Sequence, residues 1–184
     1  MTSPQKTAIT RAARAATHAH QGQFRKNGIT PFITHPARVA QRVAFFGGNH
    51  VAVIAAWLHD VMEDCENGKK IVEQTVKSLG ISQNEQDEVI AIVSALTKDD
   101  AIRGKANRLG DTLDRINKAP PQATLIKLCD RLDNLLDEKE SEPDFLAIYL
   151  PLTDQLIEAL SSGAKKYGYT RALETLKAVR AAYS

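Results

Sequence analysis

Four residues carry the clearest chemical signal in this 184-residue chain: His35, the adjacent pair His59 and Asp60, and Asp130. His59-Asp60 closes the run VAVIAAWL, which is apolar on nearly every side and so belongs in a core. An ionised carboxylate there is costly unless something pairs with it. An imidazole beside a carboxylate suits a divalent cation that accepts mixed nitrogen and oxygen donors. Asp130 repeats the oddity within LIKLCDRLDNLL, where Leu125, Leu128, Leu132 and Leu135 form an apolar stripe. His35 directly precedes Pro36, where the backbone is tightly restricted. Any one of these residues alone reads as a core histidine or a solvated acid. Together they favour a metal centre.

The chain continues past the pair as His59-Asp60-Val61-Met62-Glu63-Asp64. On a continuous helix Glu63 and Asp64 stand one turn beyond His59 and Asp60 on the same face, roughly 5–6 Å along the axis. Two such carboxylates could orient a water, remove its proton or serve a leaving group. A nearby cation lowers the pKa of bound water toward neutrality. The helix dipole disfavours acids at a C-terminus, which argues for a functional reason for two of them here.

Helices must position these groups. Ser3-Pro4 reads as an N-cap with a first-turn proline, opening an Ala-rich helix to about His20. GQFRKNGITPFIT is a loop with a basic pair at its centre. Pro36 starts a helix that Gly47-Gly48 stops. VAVIAAWLHDVMEDC follows as one helix, and KKIVEQTVKSLG as another. Ser82 and Glu85 form a capping-box pattern ahead of EVIAIVSAL. TKDDAIRGKANRLG reads as a mobile loop or broken helix. Pro120-Pro121 opens ATLIKLCDRLDNLLDEK, and two helices follow near 143–160 and 170–182. No strand alternation, repeat or linker is evident, so the expectation is an all-α, single-domain helical bundle over 1–184.

Composition limits the function classes. Hydrophobic residues make up 43% and charged residues 25%, ordinary for a globular domain with its own core. A formal charge of +2 does not point to a general nucleic-acid binder. The first residues have no apolar signal-peptide region, and no run approaches the roughly 18 apolar residues of a membrane span. Two cysteines, Cys65 and Cys129, fit a reduced, cytoplasmic chain better than a disulfide framework.

The ordered set His…His-Asp…Asp resembles the HD superfamily of metal-dependent phosphohydrolases, which is all-helical. With the acidic pair the resemblance narrows, because HDxxED is the signature of the alarmone hydrolases of the Rel/Spo family. HAHQGQFRKNGITPFITHPARVA, AAWLHDVMEDC, ALTKDD and IKLCDRLDNL agree with it, from about Thr17 to Tyr149. The length matches the stand-alone members and leaves no room for the synthetase and regulatory domains of the long ones.

The resemblance implies hydrolysis of the 3′-pyrophosphate of (p)ppGpp to GDP or GTP and pyrophosphate, usually with Mn²⁺. By position it implies one divalent cation on His35, His59, Asp60 and Asp130, and catalysis by Glu63 and Asp64. It implies substrate contacts for Arg25, Lys26, Asn134 and Tyr149. A guanidinium can stack on a purine, which fits Arg25. A site with four carboxylates that takes a polyphosphate needs cations, and Lys127, Arg131, Arg103, Lys105 and Arg108 are candidates. Cys65 and Cys129 read as small buried hydrophobes. Phe32 and Cys65 depart from the family's usual Tyr and Thr, which bears on hydrogen bonds around the site.

Other readings are the same chemistry on an adenine alarmone or the 2′-phosphate of NADPH, and a catalytically idle nucleotide sensor. Retention of all six site residues argues against the sensor. No extended basic stripe supports a nucleic-acid phosphodiesterase.

Overall fold

The computed structural model describes residues 1–137 and 143–183, with the side chains of residues 143–145 left aside. The described residues form helices, with a single isolated bridge between Phe24 and Pro31 and no strand. In chain order the helices are α1 (Ser3–Ala19), α2 (Thr34–Phe45), α3 (His50–Leu58), α4 (Val61–Asp64) and α5 (Gly68–Ser78). Then come α6 (Gln83–Leu96), α7 (Lys105–Lys118), α8 (Gln122–Asp137), α9 (Pro143–Lys166) and α10 (Thr170–Ala181). No helix among the described residues is long and apolar enough to cross a membrane.

Helix α3 is the hub. Val51 to Ala56 and Leu58 are all buried, and α1, α2, α6 and α8 pack around them. The buried face of α1 is Ala8, Ala12 and Ala16, one small residue per turn, which lets the two helices approach closely. Helix α8 is buried continuously from Ala123 to Asp133 and touches α2, α3, α6 and α10. Three mutually packed helices, α2, α3 and α8, therefore carry His35, the residues after Leu58, and Asp130 to one place.

Four expectations are corrected. First, the N-cap of α1 is Thr2, in a capping box with Gln5, one residue before the Ser3 expected. Second, α2 begins at Thr34, so His35 lies inside its first turn and not ahead of it. Third, the apolar run is not one helix, because α3 ends at Leu58 and a new single turn starts from Asp60. The acids of that turn therefore do not end a long helix, and the dipole argument for them falls. Fourth, the segment expected as a mobile loop or broken helix contains the start of a well-formed helix, α7. Leu109, Leu113 and Ile116 bury at i, i+4 and i+7 spacing, enough to anchor it to the core. The capping box of Ser82 and Glu85 is present as expected. Helix α8 is described as far as Asp137, and Glu138 and Lys139, expected as its end, lie outside the described residues.

Candidate metal centre and substrate cavity

The two histidines are fixed from behind. The Nδ1 of His35 hydrogen-bonds Asp133 Oδ2 at 2.7 Å, and Asp133 is fully buried. The Nδ1–H of His59 donates to Ala56 O at 2.7 Å, one of the carbonyls that α3 leaves unpaired where it ends. Each bond holds the proton on Nδ1 and turns Nε2 toward the partner ring, with centroids 5.3 Å apart. His59 Nε2 is buried and makes no hydrogen bond.

Carboxylate oxygens meet those nitrogens. Asp60 Oδ2 lies 3.4 Å from His35 Nε2, and its Oδ1 lies 3.2 Å from His59 Nε2. Asp130 Oδ1 lies 3.3 Å from His35 Nε2. His35, His59 and Asp130 each offer a donor atom within 4.8 Å of the other two. Two donors about 2.1 Å from one cation, roughly at right angles, stand about 3 Å apart. The spacing, the mixed donors and the orphaned Nε2 thus fit a single divalent cation.

The electrostatics agree. Burial would raise Asp130, but the Lys127 ammonium at 2.8 Å and the two imidazoles hold it well below the usual carboxylate range. Burial alone would lower His35, yet Asp130 and Asp133 outweigh it and raise the ring to about 9. Without a cation, His35 therefore keeps a proton between the carboxylates, and cation binding must release it. Asp133, despite its burial, is lowered to about 2 by His35 and Arg38. Arg38 clasps it with Nε and Nη2 at 2.8 and 2.9 Å.

The acidic pair sits beside these donors. One helical bond, Asp64 N–H to Asp60 O at 2.8 Å, closes the α4 turn and keeps Asp64 one turn from Asp60. Gly68 allows α5 to close against this turn, since a Cβ there would lie 2.1 Å from Val61 O. Glu63 pairs with the Lys98 ammonium and accepts the Lys98 backbone N–H at 3.1 Å. Asp64 is raised to about 7 by burial first, then by the charges of Asp60 and Glu63. A carboxyl group poised there can exchange a proton near neutrality.

His35, His59, Asp60, Glu63, Asp64 and Asp130 line one cavity of about 250 Å³, and Asp133 and Arg38 do not. Arg25, Lys26, Lys98, Lys127, Arg131, Asn134 and Tyr149 line it too. Arg25 is placed by the loop between α1 and α2. Its backbone N–H donates to Thr30 O, and Asn27 accepts from the backbone of Ile29 and Thr30 as the chain turns through Gly28 at φ 69°. The guanidinium lies 5.5 Å from the Phe32 ring centroid, donating to Asn134 at 2.8 Å and Asp137 at 3.0 Å. Asn134 in turn donates to Asp130 at 2.6 Å. Arg131 lies 4.2 Å from the Tyr149 ring centroid and donates to Thr153.

Three basic candidates are placed elsewhere. Lys105 is the exposed first residue of α7, Arg103 lies in the preceding loop, and Arg108 pairs with Asp100; none lines the cavity. Cys65 and Cys129 are free thiols. Cys129 is buried as expected, and burial pushes it up to about 12, whereas Cys65, also expected to be buried, is only half-buried and makes polar contacts. At the departures from the family pattern, the Cys65 thiol donates to Ala19 O, and the Phe32 ring stacks on His20 at 4.7 Å.

Sequence reasoning missed Asp133, Lys98 and the pair His20–Gln23. His20 is buried and hydrogen-bonds Gln23, whose side-chain amide donates to Asp64 O at 2.8 Å and ties the loop to the acidic turn. Lys98 sat in the quoted ALTKDD, and Asp133 one helical turn beyond Asp130, so both were visible as charged residues next to motif positions.

A His, a His-Asp and an Asp converging from packed helices are what an HD metal centre requires. The sequence profile of the HD domain family matches residues 12–156, and the chain belongs to that family. A protein of Aquifex aeolicus named guanosine-3′,5′-bis(diphosphate) 3′-pyrophosphohydrolase is 31% identical over 92% of this chain. One of Haemophilus influenzae with the same name is 34% identical over 77%. A GTP pyrophosphokinase of Streptomyces coelicolor is 33% identical over 80%. The matches span 25%, 21% and 18% of those proteins, so the chain corresponds to about a quarter or less of each. The fold is shared with the solved structure of a metazoan ortholog of SpoT described as hydrolysing ppGpp. Their TM-score is 0.76 at 22% identity, covering 94% of this chain and 93% of that one.

Proposed function

We propose that this domain is a metal-dependent hydrolase of the guanosine alarmone (p)ppGpp, releasing pyrophosphate from the 3′ position and leaving GDP or GTP. One observation carries the reading: the His35 and His59 imidazoles, the latter with an unpartnered Nε2, share a single cavity with Asp60, Asp130 and the Glu63–Asp64 pair, with cations on its walls. The names of the relatives from Aquifex aeolicus and Haemophilus influenzae support the substrate.

His35, His59, Asp60 and Asp130 are the residues that would hold the cation, with Mn²⁺ as the working ion. When bound, a divalent cation supplies Lewis acidity to the phosphoryl group and acidifies water. Asp64, poised near neutrality, takes the proton of the attacking water. Glu63, pinned by Lys98, orients the water and the leaving oxygen. Hydrolysis forms the bond from the water oxygen to phosphorus, breaks the bond from phosphorus to the 3′ oxygen, and returns the proton held by Asp64 to that departing oxygen. Arg25 offers a guanidinium face for the purine, while Lys26, Asn134, Arg131 and Tyr149 shape the rest of the nucleotide subsite. Lys127 neutralises Asp130 and tunes the centre. Lys105 is retained only as a long-range contributor of positive charge. The free thiols support a reducing, cytoplasmic setting.

The test is a panel in which purified protein with Mn²⁺ meets ppGpp, ppApp, NADPH and deoxynucleoside triphosphates. Preferential conversion of ppGpp to GDP and pyrophosphate is expected. Turnover of NADPH or ppApp with ppGpp left intact would overturn the substrate assignment.

A further inference from the structure

Lys98 follows the C-terminus of α6 and meets Glu63 twice, through its backbone N–H and its ammonium. An ammonium has three donors, and one carboxylate oxygen uses one of them. The other cavity cations differ in what their charge is already doing. Lys127 is 8% exposed and spends its charge on the buried Asp130. Arg25 is held by Asn134 and Asp137. The Lys98 side chain is 48% exposed, lines the cavity and stands at its acidic end.

That end needs a cation. The pyrophosphate product carries several negative charges and shares the cavity with Glu63, Asp64, Asp60 and Asp130. Repulsion between such groups is large in a partly desolvated cavity. A lysine ammonium serves as a mobile point charge for phosphate, and its hydrogen bonds to ionised oxygens are stronger than neutral ones. The double contact with Glu63 fixes the start of the side chain and its tip while leaving donors unused.

Resting on the pyrophosphohydrolase reading above, we infer that Lys98 is a phosphate-binding residue that receives the pyrophosphoryl group cleaved at this site, with Glu63 holding it in position. Lys98 then binds the phosphoryl oxygens of the group under attack and the pyrophosphate product, and favours a 3′-diphosphate over a 3′-monophosphate.

The probe is inorganic pyrophosphate, with orthophosphate for comparison, titrated into Mn²⁺-loaded protein at one fixed free Mn²⁺ concentration. Lys98→Gln is expected to keep its metal and to bind pyrophosphate on the order of tenfold more weakly, the worth of one charge-assisted hydrogen bond. Lys98→Arg keeps the charge and is expected to recover most of the affinity. Orthophosphate binding should change less than pyrophosphate binding. Pyrophosphate bound equally by Lys98→Gln and wild type overturns the inference, including the case where only kcat falls, which would leave Lys98 acting solely through Glu63. This binding is read without the nucleotide. A wild type that binds pyrophosphate through Lys98 yet leaves ppGpp intact would sink the functional reading alone. A wild type that hydrolyses ppGpp while Lys98→Gln binds pyrophosphate normally would sink the Lys98 assignment alone.

Discussion

Asp133 Oδ2 and His35 Nδ1 stand 2.7 Å apart although 98 positions separate them in the chain, and neither side chain reaches solvent. The bond turns a histidine on α2 into a donor aimed at Asp60 and Asp130. A carboxylate behind a metal-binding imidazole fixes its tautomer and raises its basicity.

Asp133→Asn should therefore weaken Mn²⁺ binding by about 10–100-fold while the helical fold persists. Titration of metal into the stripped protein, followed by calorimetry, measures it. Unchanged affinity would mean that Asp133 serves only Arg38 and Arg42, whose Nη2 also donates to it at 3.2 Å.

Gly68 makes room for the acidic turn. Gly68→Ala would drive a Cβ to 2.1 Å from Val61 O, so α4 or α5 must shift. The expected loss is about 1–3 kcal/mol of stability, as for other overpacked sites, with a larger fall in kcat than in bound metal. A wild-type denaturation midpoint together with wild-type kcat would show that the contact relaxes freely.

Asp64 sets the expected pH dependence. A proton acceptor must be ionised, so activity falls as pH drops through its pKa. Burial and neighbouring carboxylates raise that pKa to about 7 in the metal-free protein. A bound cation lowers it, so the acidic limb of kcat in the loaded enzyme should lie at or below about 7. In Asp64→Asn the residual activity, reduced by ~10²–10⁴-fold, should lack that limb. A limb that persists in Asp64→Asn but vanishes in Glu63→Gln would exchange the two roles.

Arg25 lies outside the donor set but touches Asn134, which holds Asp130. Arg25→Ala should raise KM for ppGpp by more than it lowers kcat, because the guanidinium face is lost while Asp130 keeps Lys127. A collapsed kcat at unchanged KM would instead make the Arg25–Asn134–Asp130 chain the important element.

The legible and illegible parts of the molecule divide along physical lines. His59-Asp60 and Asp130 stood out because they break apolar runs of sequence, and such breaks are visible in one dimension. The break after Leu58 was hidden, since neither Gly nor Pro marks it and the apolar run passes straight through. Helix α7 was masked by its polar start, where the three core residues are spread through charged sequence. Lys98 and Asp133 looked like ordinary helix or loop charges because their meaning lies in partners 35 and 98 positions away. Lys105 looked like a phosphate ligand by charge alone, and only the path of α7 takes it out of the cavity.

The most direct measurement is ppGpp turnover as Mn²⁺ is added back to metal-stripped wild type, His59→Ala and Asp130→Ala, with bound metal determined on the same samples. In wild type, GDP and pyrophosphate should appear in step with about one bound Mn²⁺ per chain, while both variants bind little metal and release neither product. Stoichiometric metal and normal turnover in either variant, or intact ppGpp beside fully loaded wild type, would contradict a hydrolytic metal centre at these residues.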